Sequence, residues 1–135
     1  MKTKMKREQG QSLVEMALLF PLLIMLMMGL LDIGRAYYVL VALNDAASEG
    51  ASYASIFPSD VGGVQSRTAE ASGGLVTIAP GDVVVKYPAT LRSGAPITVT
   101  IEHAMVLYTP FVNGLVAGDG LTLQGQAAQP LITVR

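Results

Sequence analysis

Residues 11–57 are QSLVEMALLFPLLIMLMMGLLDIGRAYYVLVALNDAASEGASYASIF, and Pro58 follows them. Pro21 is the one strong helix breaker inside this run, so the sequence predicts a single long helix. At about 1.5 Å per residue the helix would be roughly 70 Å long, which exceeds the diameter of a domain of this size. Part of it must therefore project from the rest of the chain. At Pro21 the missing N–H predicts a bend or a locally open hydrogen bond.

The first half of this helix is apolar over the length of a membrane span. No residue from 16 to 31 is charged, and residues 11–14 extend the uncharged sequence beyond Glu15. Crossing the hydrocarbon core takes about 20 residues, so residues 12–31 are predicted as a membrane segment.

Charge around the segment predicts its orientation. Four basic residues precede it, with only Glu8 against them: Lys2, Lys4, Lys6 and Arg7. The positive-inside rule then keeps the N-terminus in the cytoplasm and places residues from about 32 onward outside. The alternative is an ordinary secretory signal peptide, which would have a small-residue cleavage site after the apolar run. Here the helical pattern continues instead, which favours the membrane segment.

The second half of the helix is rich in small residues and is predicted to pack, partly on its own chain and partly on other chains. One face is predicted from apolar and small residues spaced three and four apart. Its members are Tyr37, Leu40, Val41, Asn44, Ala47 and Ala51.

Residues 58–135 are predicted to form a small α+β head. Residues 58–60 end the long helix, and a short second helix is expected within 61–74. Alternation with a period of two then predicts strands around 83–87, 97–105 and 121–124, with 131–134 extending or following the last. Three to four such strands predict an antiparallel meander with one apolar face, covered by the helices. The loop 108–120 is interpreted as folding onto the head's own core or, alternatively, as a contact with a neighbour.

The composition excludes several classes of chemistry. The chain has no cysteine, so disulfides and thiolate metal sites are impossible, and its formal net charge of −1 gives no case for nucleic-acid binding. The single histidine, His103, falls on the apolar side of a predicted strand, where a packing role is more usual than a catalytic one. No phosphate-binding loop, paired metal ligands or nucleophile elbow is present. We therefore expect neither an enzyme nor a cofactor.

The N-terminal residues carry a family resemblance. A short basic leader, residues 1–10, ends in Gly10 and is followed by Gln11, three further residues and Glu15. This order resembles the class III signal of type IV prepilins. Residues 9–56 as a whole resemble the TadE-like family of tight-adherence (Tad) pilus systems. The resemblance covers the QSLVE motif at 11–15, Pro21, Asp32 with Gly34 and Arg35, and the Ala-rich stretch at 44–54.

The resemblance implies a type IV pilin-like fold and a pilus function. A prepilin peptidase would cut between Gly10 and Gln11, making Glu15 the fifth residue of the mature chain. The helix 11–57 would then assemble into an extracellular filament, through Glu15, Pro21, Asp32 and Arg35, after a stage in the inner membrane. Its implied partners are copies of itself, other pilus subunits and the assembly machinery. The alternative is a membrane-anchored minor pseudopilin or accessory protein, because major pilins of these systems are typically far shorter.

The physical chemistry of Glu15 allows two interpretations of its role. A carboxylate near the bilayer edge is costly if drawn inward, and it would be tolerated if it paired with the α-amine that cleavage creates on Gln11 of another subunit. The simpler alternative is a glutamate at the membrane interface near the start of a helix, where the helix dipole favours it. The leader and Gly10 favour the first.

Overall fold

The computed structural model describes residues 3–74, 76–109 and 121–132, with side chains from residue 10 onward. Two helices, α1 (Thr3–Ile56) and α2 (Val61–Ala71), precede a 3₁₀ turn at Pro80–Asp82. Three strands follow, β1 (Val83–Lys86), β2 (Pro96–Met105) and β3 (Leu121–Pro130). This architecture confirms the α+β prediction of a long N-terminal helix, a short helix and an antiparallel sheet.

The three strands form an antiparallel sheet in the order β1-β2-β3. Strand β2 pairs along its whole length with β3, from Pro96 opposite Pro130 to Met105 opposite Leu121. The shorter β1 covers only part of the other edge of β2. Three alternate residues of β2, Ile97, Val99 and Ile101, are fully buried. Because alternate residues of a strand share one face, they define the side of the sheet that packs on the helices.

The distal half of α1 supplies the other half of the core. Its buried residues are Ala42, Leu43, Ala46, Ala47, Ala51 and Ala54. Most are alanine, which lets a strand approach the helix closely. One close approach is at Gly125 of β3, where a Cβ would come within 2.6 Å of the carbonyl carbon of Leu43. The small residues of this half therefore pack on the chain's own sheet and on α2.

The predicted face of the second half of α1 is buried within this chain only in part. Ala47 and Ala51 are buried as expected, but Tyr37, Val41 and Asn44 are exposed. The helix is rotated so that Leu43 lies under β3, and Asn44 lies beside its free edge. There the Asn44 side-chain oxygen accepts a hydrogen bond from the Gln126 backbone N–H at 3.1 Å. Periodicity alone could not show this, because small residues occur on more than one side of the helix.

Helix α2 begins at a well-formed cap. The Asp60 carboxylate accepts the Gly63 N–H at 2.9 Å, as a helix N-cap does, and also the Tyr53 hydroxyl at 2.9 Å. Val64 and Thr68 face the core, whereas Ala71, which shares their spacing, is exposed. The cap thus ties the turn after α1 to the side of α1 itself.

Two predicted segments lie partly outside the described residues. All but the first two residues of the loop 108–120 lie outside the described residues, as does the end of the predicted strand segment 131–134. The division into a leader at 1–10, a helix at 11–57 and a head at 58–135 stays a prediction. Within the described chain, residues 42–54 of α1 belong to the core of the head.

Candidate functional site

The proximal half of α1 has an apolar surface that no other described part of the chain covers. From Leu13 to Leu31 its large apolar side chains are mostly exposed, by as much as 74% at Leu18. By length and composition α1 is able to cross a membrane between Gly10 and Ile56. Exposed apolar area of this extent requires lipid or another protein surface around it. A single long apolar N-terminal helix of this kind fits membrane anchoring.

The predicted processing and assembly residues near the N-terminus lie on successive turns of α1. Gly10 is exposed, and a Cβ there would meet nothing within 4 Å. The Gln11 amide nitrogen is 3.5 Å from a carboxylate oxygen of Glu15, at the outer limit for a hydrogen bond. Glu15 is exposed beside Met16 and Leu19, and among the described side chains, from Gly10 onward, its closest polar contact is Gln11. Their roles in processing and assembly stay predictions.

Pro21 lies inside α1, and the helix continues on both sides of it. Because proline has no N–H, the carbonyl of Ala17 lacks its usual backbone donor four residues on. A weak point in the hydrogen-bond ladder therefore falls in the middle of the predicted membrane segment. Whether the helix bends there, and whether that helps assembly, stays a prediction.

Asp32, at the C-terminal end of the apolar segment, is buried, and both of its carboxylate oxygens accept hydrogen bonds. The Tyr108 backbone N–H donates to Oδ1 at 3.0 Å, and the Thr109 N–H donates to Oδ2 at 2.8 Å. The Thr109 hydroxyl also donates to Oδ2, at 2.6 Å. A carboxylate that accepts three such bonds is well compensated for burial. We call this group of Asp32, Tyr108 and Thr109 the latch, since it joins the chain after β2 to the side of α1.

Arg35, on the next turn of α1, packs against the latch. Its guanidinium carbon lies 4.3 Å from the centre of the Tyr108 ring, a cation–π distance. One of its nitrogens lies 4.0 Å from Asp32 Oδ1, the margin of an ion pair. The structure thus brings together two residues predicted for assembly, Asp32 and Arg35. Both have contacts within their own chain, and their predicted role between chains is a separate question.

Tyr108 and Thr109 were not predicted as site residues. The signal that could have found them was Asp32 itself, because an acidic residue at the end of an apolar segment needs hydrogen-bond donors. The sequence does not say which donors, since 75 residues separate Asp32 from Tyr108. Only the antiparallel return of β2 along α1 places them side by side.

The distal end of the head contains a second group of titratable residues, Tyr53 and Asp60. The Gly63 N–H and then the Tyr53 hydroxyl hold the pKa of Asp60 below its ordinary value. The same hydrogen bond to the carboxylate raises the pKa of Tyr53. These shifts follow from helix capping and not from a catalytic arrangement. Among the residues that the structure describes, no three His, Cys, Asp or Glu side chains are placed to hold a metal ion.

Comparison with known proteins gives one match. The family model described as TadE-like protein matches residues 10–52, from the predicted cleavage position to the last turns of α1. Neither the curated proteins nor the solved structures gave a match to this chain. The family suggests involvement in Tad pilus systems, as a structural or assembly component, and it is not known for enzymatic activity. The match confirms the resemblance found in the sequence: the N-terminal part of this chain, residues 10–52, is TadE-like.

Proposed function

We propose that this chain is a structural subunit of a Tad-type pilus. In this proposal a prepilin peptidase removes residues 1–10 in the inner membrane, and the mature chain polymerises through residues 11–31 into an extracellular filament. The observation that supports it best is the uncovered apolar surface of α1 between Leu13 and Leu31. Lipid would cover this surface before assembly, and the same segments of neighbouring copies would cover it afterwards.

Cleavage would change both the anchoring and the charge of the chain. The leader contains four of the nine basic residues. Residues 11–135 contain five basic and nine acidic residues, so the mature chain would have a formal net charge of −4. Removing the basic leader removes the charges that hold the N-terminus on the cytoplasmic side. Extraction from the bilayer would then be easier, because no cluster of ammonium and guanidinium groups has to cross it.

Glu15 would act in assembly by pairing with the new α-amine on Gln11 of an adjacent subunit. Among the side chains that the structure describes, which begin at Gly10, only Gln11 makes a polar contact with its exposed carboxylate, at the limit of a hydrogen bond. In this proposal the carboxylate accepts the amine of the adjacent subunit as its second donor. A paired carboxylate is far less costly among packed helices than a lone one, and such pairs set the register of packing. Residues at the start of α1 would thus determine how far neighbouring helices are displaced along the filament axis.

Processing is tested by mass spectrometry of the N-terminus in sheared surface fibres and in membranes. We expect chains beginning at Gln11 in the fibres and chains beginning at Met1 among newly made membrane protein. Fibre chains beginning at Met1 would mean assembly without cleavage, and pairing with an amine on Gln11 would then be wrong.

Glu15 is tested by substitution. Glu15→Val is expected to abolish or strongly reduce filament yield while leaving the amount of membrane protein unchanged, because only the packing of subunits lacks its register charge. Glu15→Asp keeps the carboxylate and is expected to retain filaments. Glu49→Gln, an exposed carboxylate on the same helix, serves as the control for charge alone. Normal filaments with Glu15→Val would contradict the proposed pairing.

The alternative function is a minor pseudopilin or accessory protein that stays anchored in the membrane. It is favoured by the folded head, whose three-stranded sheet and two helices make the chain larger than a simple filament helix. The same fractionation separates the two functions. A subunit of the filament is abundant in sheared fibres, whereas an accessory protein is found in the membrane fraction.

A further inference from the structure

We infer that the head of this protein is seated on the membrane, with a defined surface at its base lying in the lipid headgroup layer. This inference rests on the membrane insertion in the proposed function, and it does not depend on polymerisation. We call this the basal surface, and it consists of Ile33, Arg35, Tyr37, Tyr38, Val106 and Tyr108.

The basal surface is apolar and aromatic although it belongs to the outer side of the head. Its five uncharged side chains are between 50% and 70% exposed. Three of them are tyrosines, out of five tyrosines in the whole chain. Tyrosine is enriched where proteins cross the membrane–water interface, because its ring prefers the acyl chains and its hydroxyl prefers the headgroups.

The position of these residues along α1 matches the thickness of the headgroup layer. The uncharged segment ends at Leu31, and Ile33 follows within about 3 Å along the helix axis. Tyr37 and Tyr38 lie about 9–11 Å beyond Leu31. Each headgroup region adds roughly 5–8 Å to the hydrocarbon core, so Ile33 stands within it and the backbone of Tyr37 and Tyr38 lies just beyond its outer margin. Side chains of a helix tilt toward its N-terminus, which brings the two rings back toward the headgroups.

The latch brings the strand end to the same level. Tyr108 and Thr109 donate hydrogen bonds to Asp32, one residue beyond the apolar segment. The Tyr108 ring, held against Arg35 at 4.3 Å, is therefore at the depth where the helix leaves the hydrocarbon core. Val106, two residues earlier on the chain, is exposed just above it. The latch also gives Asp32 its hydrogen bonds, so a carboxylate is tolerated at this depth.

The occupant of the basal surface is lipid and not a second protein, because the surface surrounds the helix. At about 100° per residue, Tyr37 and Tyr38 lie roughly 140° and 120° from Asp32 on opposite sides of α1. Tyr108 is on the Asp32 side itself. Before assembly, a single protein partner would bind one face of α1, whereas a bilayer meets every side of the helix where it leaves the hydrocarbon core.

Charge on the basal surface also suits lipid. Arg35 is the only basic residue between Arg7 and Arg67, and its side chain is 44% exposed. A guanidinium at this height matches the phosphates of the headgroups, which it binds in a bidentate manner. Asp32, the one acidic residue at this level among those described, is already occupied by the latch.

The test uses the absence of tryptophan from the chain. Tyr108→Trp introduces a single fluorescent probe into the basal surface and keeps an aromatic ring under Arg35. The full chain is reconstituted into phosphatidylcholine–phosphatidylglycerol vesicles that carry bromine either near the headgroup end or near the methyl end of the acyl chains. We expect stronger quenching by the shallow bromines and a blue-shifted emission relative to the same variant in buffer with detergent.

Two further single-tryptophan variants separate failure of this inference from failure of insertion. Phe20→Trp reports on the middle of the apolar segment and is expected to be quenched by the deep bromines. Phe57→Trp, at the far end of α1, is expected to show no quenching. If Phe20→Trp is unquenched, the chain is not inserted, and both the membrane stage of the proposed function and the seating of the head are wrong.

If Phe20→Trp is quenched and Tyr108→Trp is not, insertion stands and the seated head is overturned. A soluble quencher such as acrylamide then identifies what covers the position. Accessibility to acrylamide would show Tyr108 in water, and protection from both quenchers would show a second protein surface. Either result contradicts the inference that lipid is the occupant.

Discussion

At the scale of single residues, the fold depends on one glycine that no motif singles out. Gly125 lies where β3 crosses α1, and a Cβ there would be 2.6–2.7 Å from three atoms of Leu43, two of them in the backbone. Backbone atoms cannot move aside as the end of a flexible side chain does. The strand and the helix would have to separate.

We therefore expect Gly125→Ala to destabilise the head by about 1–3 kcal/mol, the usual cost of overpacking. The measurement is the free energy of opening of β2 and β3 amides, from hydrogen exchange of the full chain in detergent micelles. Gly81→Ala is the matched control, because a Cβ at Gly81 would meet nothing within 4 Å. It should change stability by no more than about 0.5 kcal/mol. Equal stability of the two variants would show that β3 does not approach α1 this closely.

Because Asp60 caps α2, the first turn of this helix should be sensitive to acid. Hydrogen bonds from the Gly63 N–H and the Tyr53 hydroxyl lower its pKa in the folded chain below the ordinary 3.8. A lowered folded pKa means that the carboxylate contributes stability above pH 3.8, and that this contribution is lost as the pH falls through the folded pKa. Protection of the first α2 amides, corrected for the intrinsic exchange rate, should fall in that range. Asp60→Asn still caps the helix but does not titrate, so its α2 amides should show a weaker pH dependence. Identical pH profiles would exclude Asp60 as the cause.

At the scale of elements, the distal half of α1 is a core helix on one side and a solvent-facing helix on the other. Leu43 is fully buried, whereas Val41, two residues away, is exposed on another side. Leu43→Ala should cost about 2–5 kcal/mol, because it leaves a cavity between α1 and β3. Val41→Ala should cost about 0.5 kcal/mol or less. Hydrogen exchange of the β2 amides measures both. A larger cost at Val41 would instead support the face predicted from periodicity.

The elements of this fold were predictable from the sequence, but the rotation of α1 about its axis was not. Local patterns predicted that α1, α2 and the three strands are present, because apolar periodicity, Gly and Pro breaks and the Asp60 cap act over a few residues. Two bounds were missed: α1 begins at Thr3 and not at residue 11, and β3 runs from Leu121 to Pro130 and not only over 121–124. The rotation of α1 was not predictable. The side of α1 that faces β3 depends on which of several small residues β3 approaches. The contact that fixes this side joins Gly125 to Leu43, which are 82 positions apart in the sequence.

Some residues of the candidate site were likewise predictable from the sequence, and others were not. Gly10, Gln11, Glu15 and Pro21 were found because their spacing is local and resembles a known signal. The partners of Asp32 were not found, because Tyr108 and Thr109 are brought to it only by the sheet. A charge at the end of an apolar segment indicates that donors are needed without identifying them.

At the scale of the whole molecule, the latch is a second connection between the head and the apolar half of α1. The buried core of the head includes α1 from Ala42 onward, and Val39 packs against it. Without the latch, the base of the head would be joined to α1 only through that core. With it, α1 is held to the strand end at Asp32 as well.

Asp32→Ala should therefore loosen the base of the head while leaving its core intact. We expect the Tyr108 and Thr109 amides, which donate to the carboxylate, to lose their exchange protection, while the amides of Val99 and Ile101 keep theirs. Asp45→Ala, an exposed carboxylate further along α1, should leave all four amides unchanged. If protection were lost throughout β2, Asp32 would be part of the cooperative core and not a separate attachment. If no amide changed, the hydrogen bonds from Tyr108 and Thr109 would not hold the base, and its seating at the membrane would need another cause. Selective loss at Tyr108 and Thr109 would show that one carboxylate, one residue beyond the apolar segment, holds the base of the head to α1.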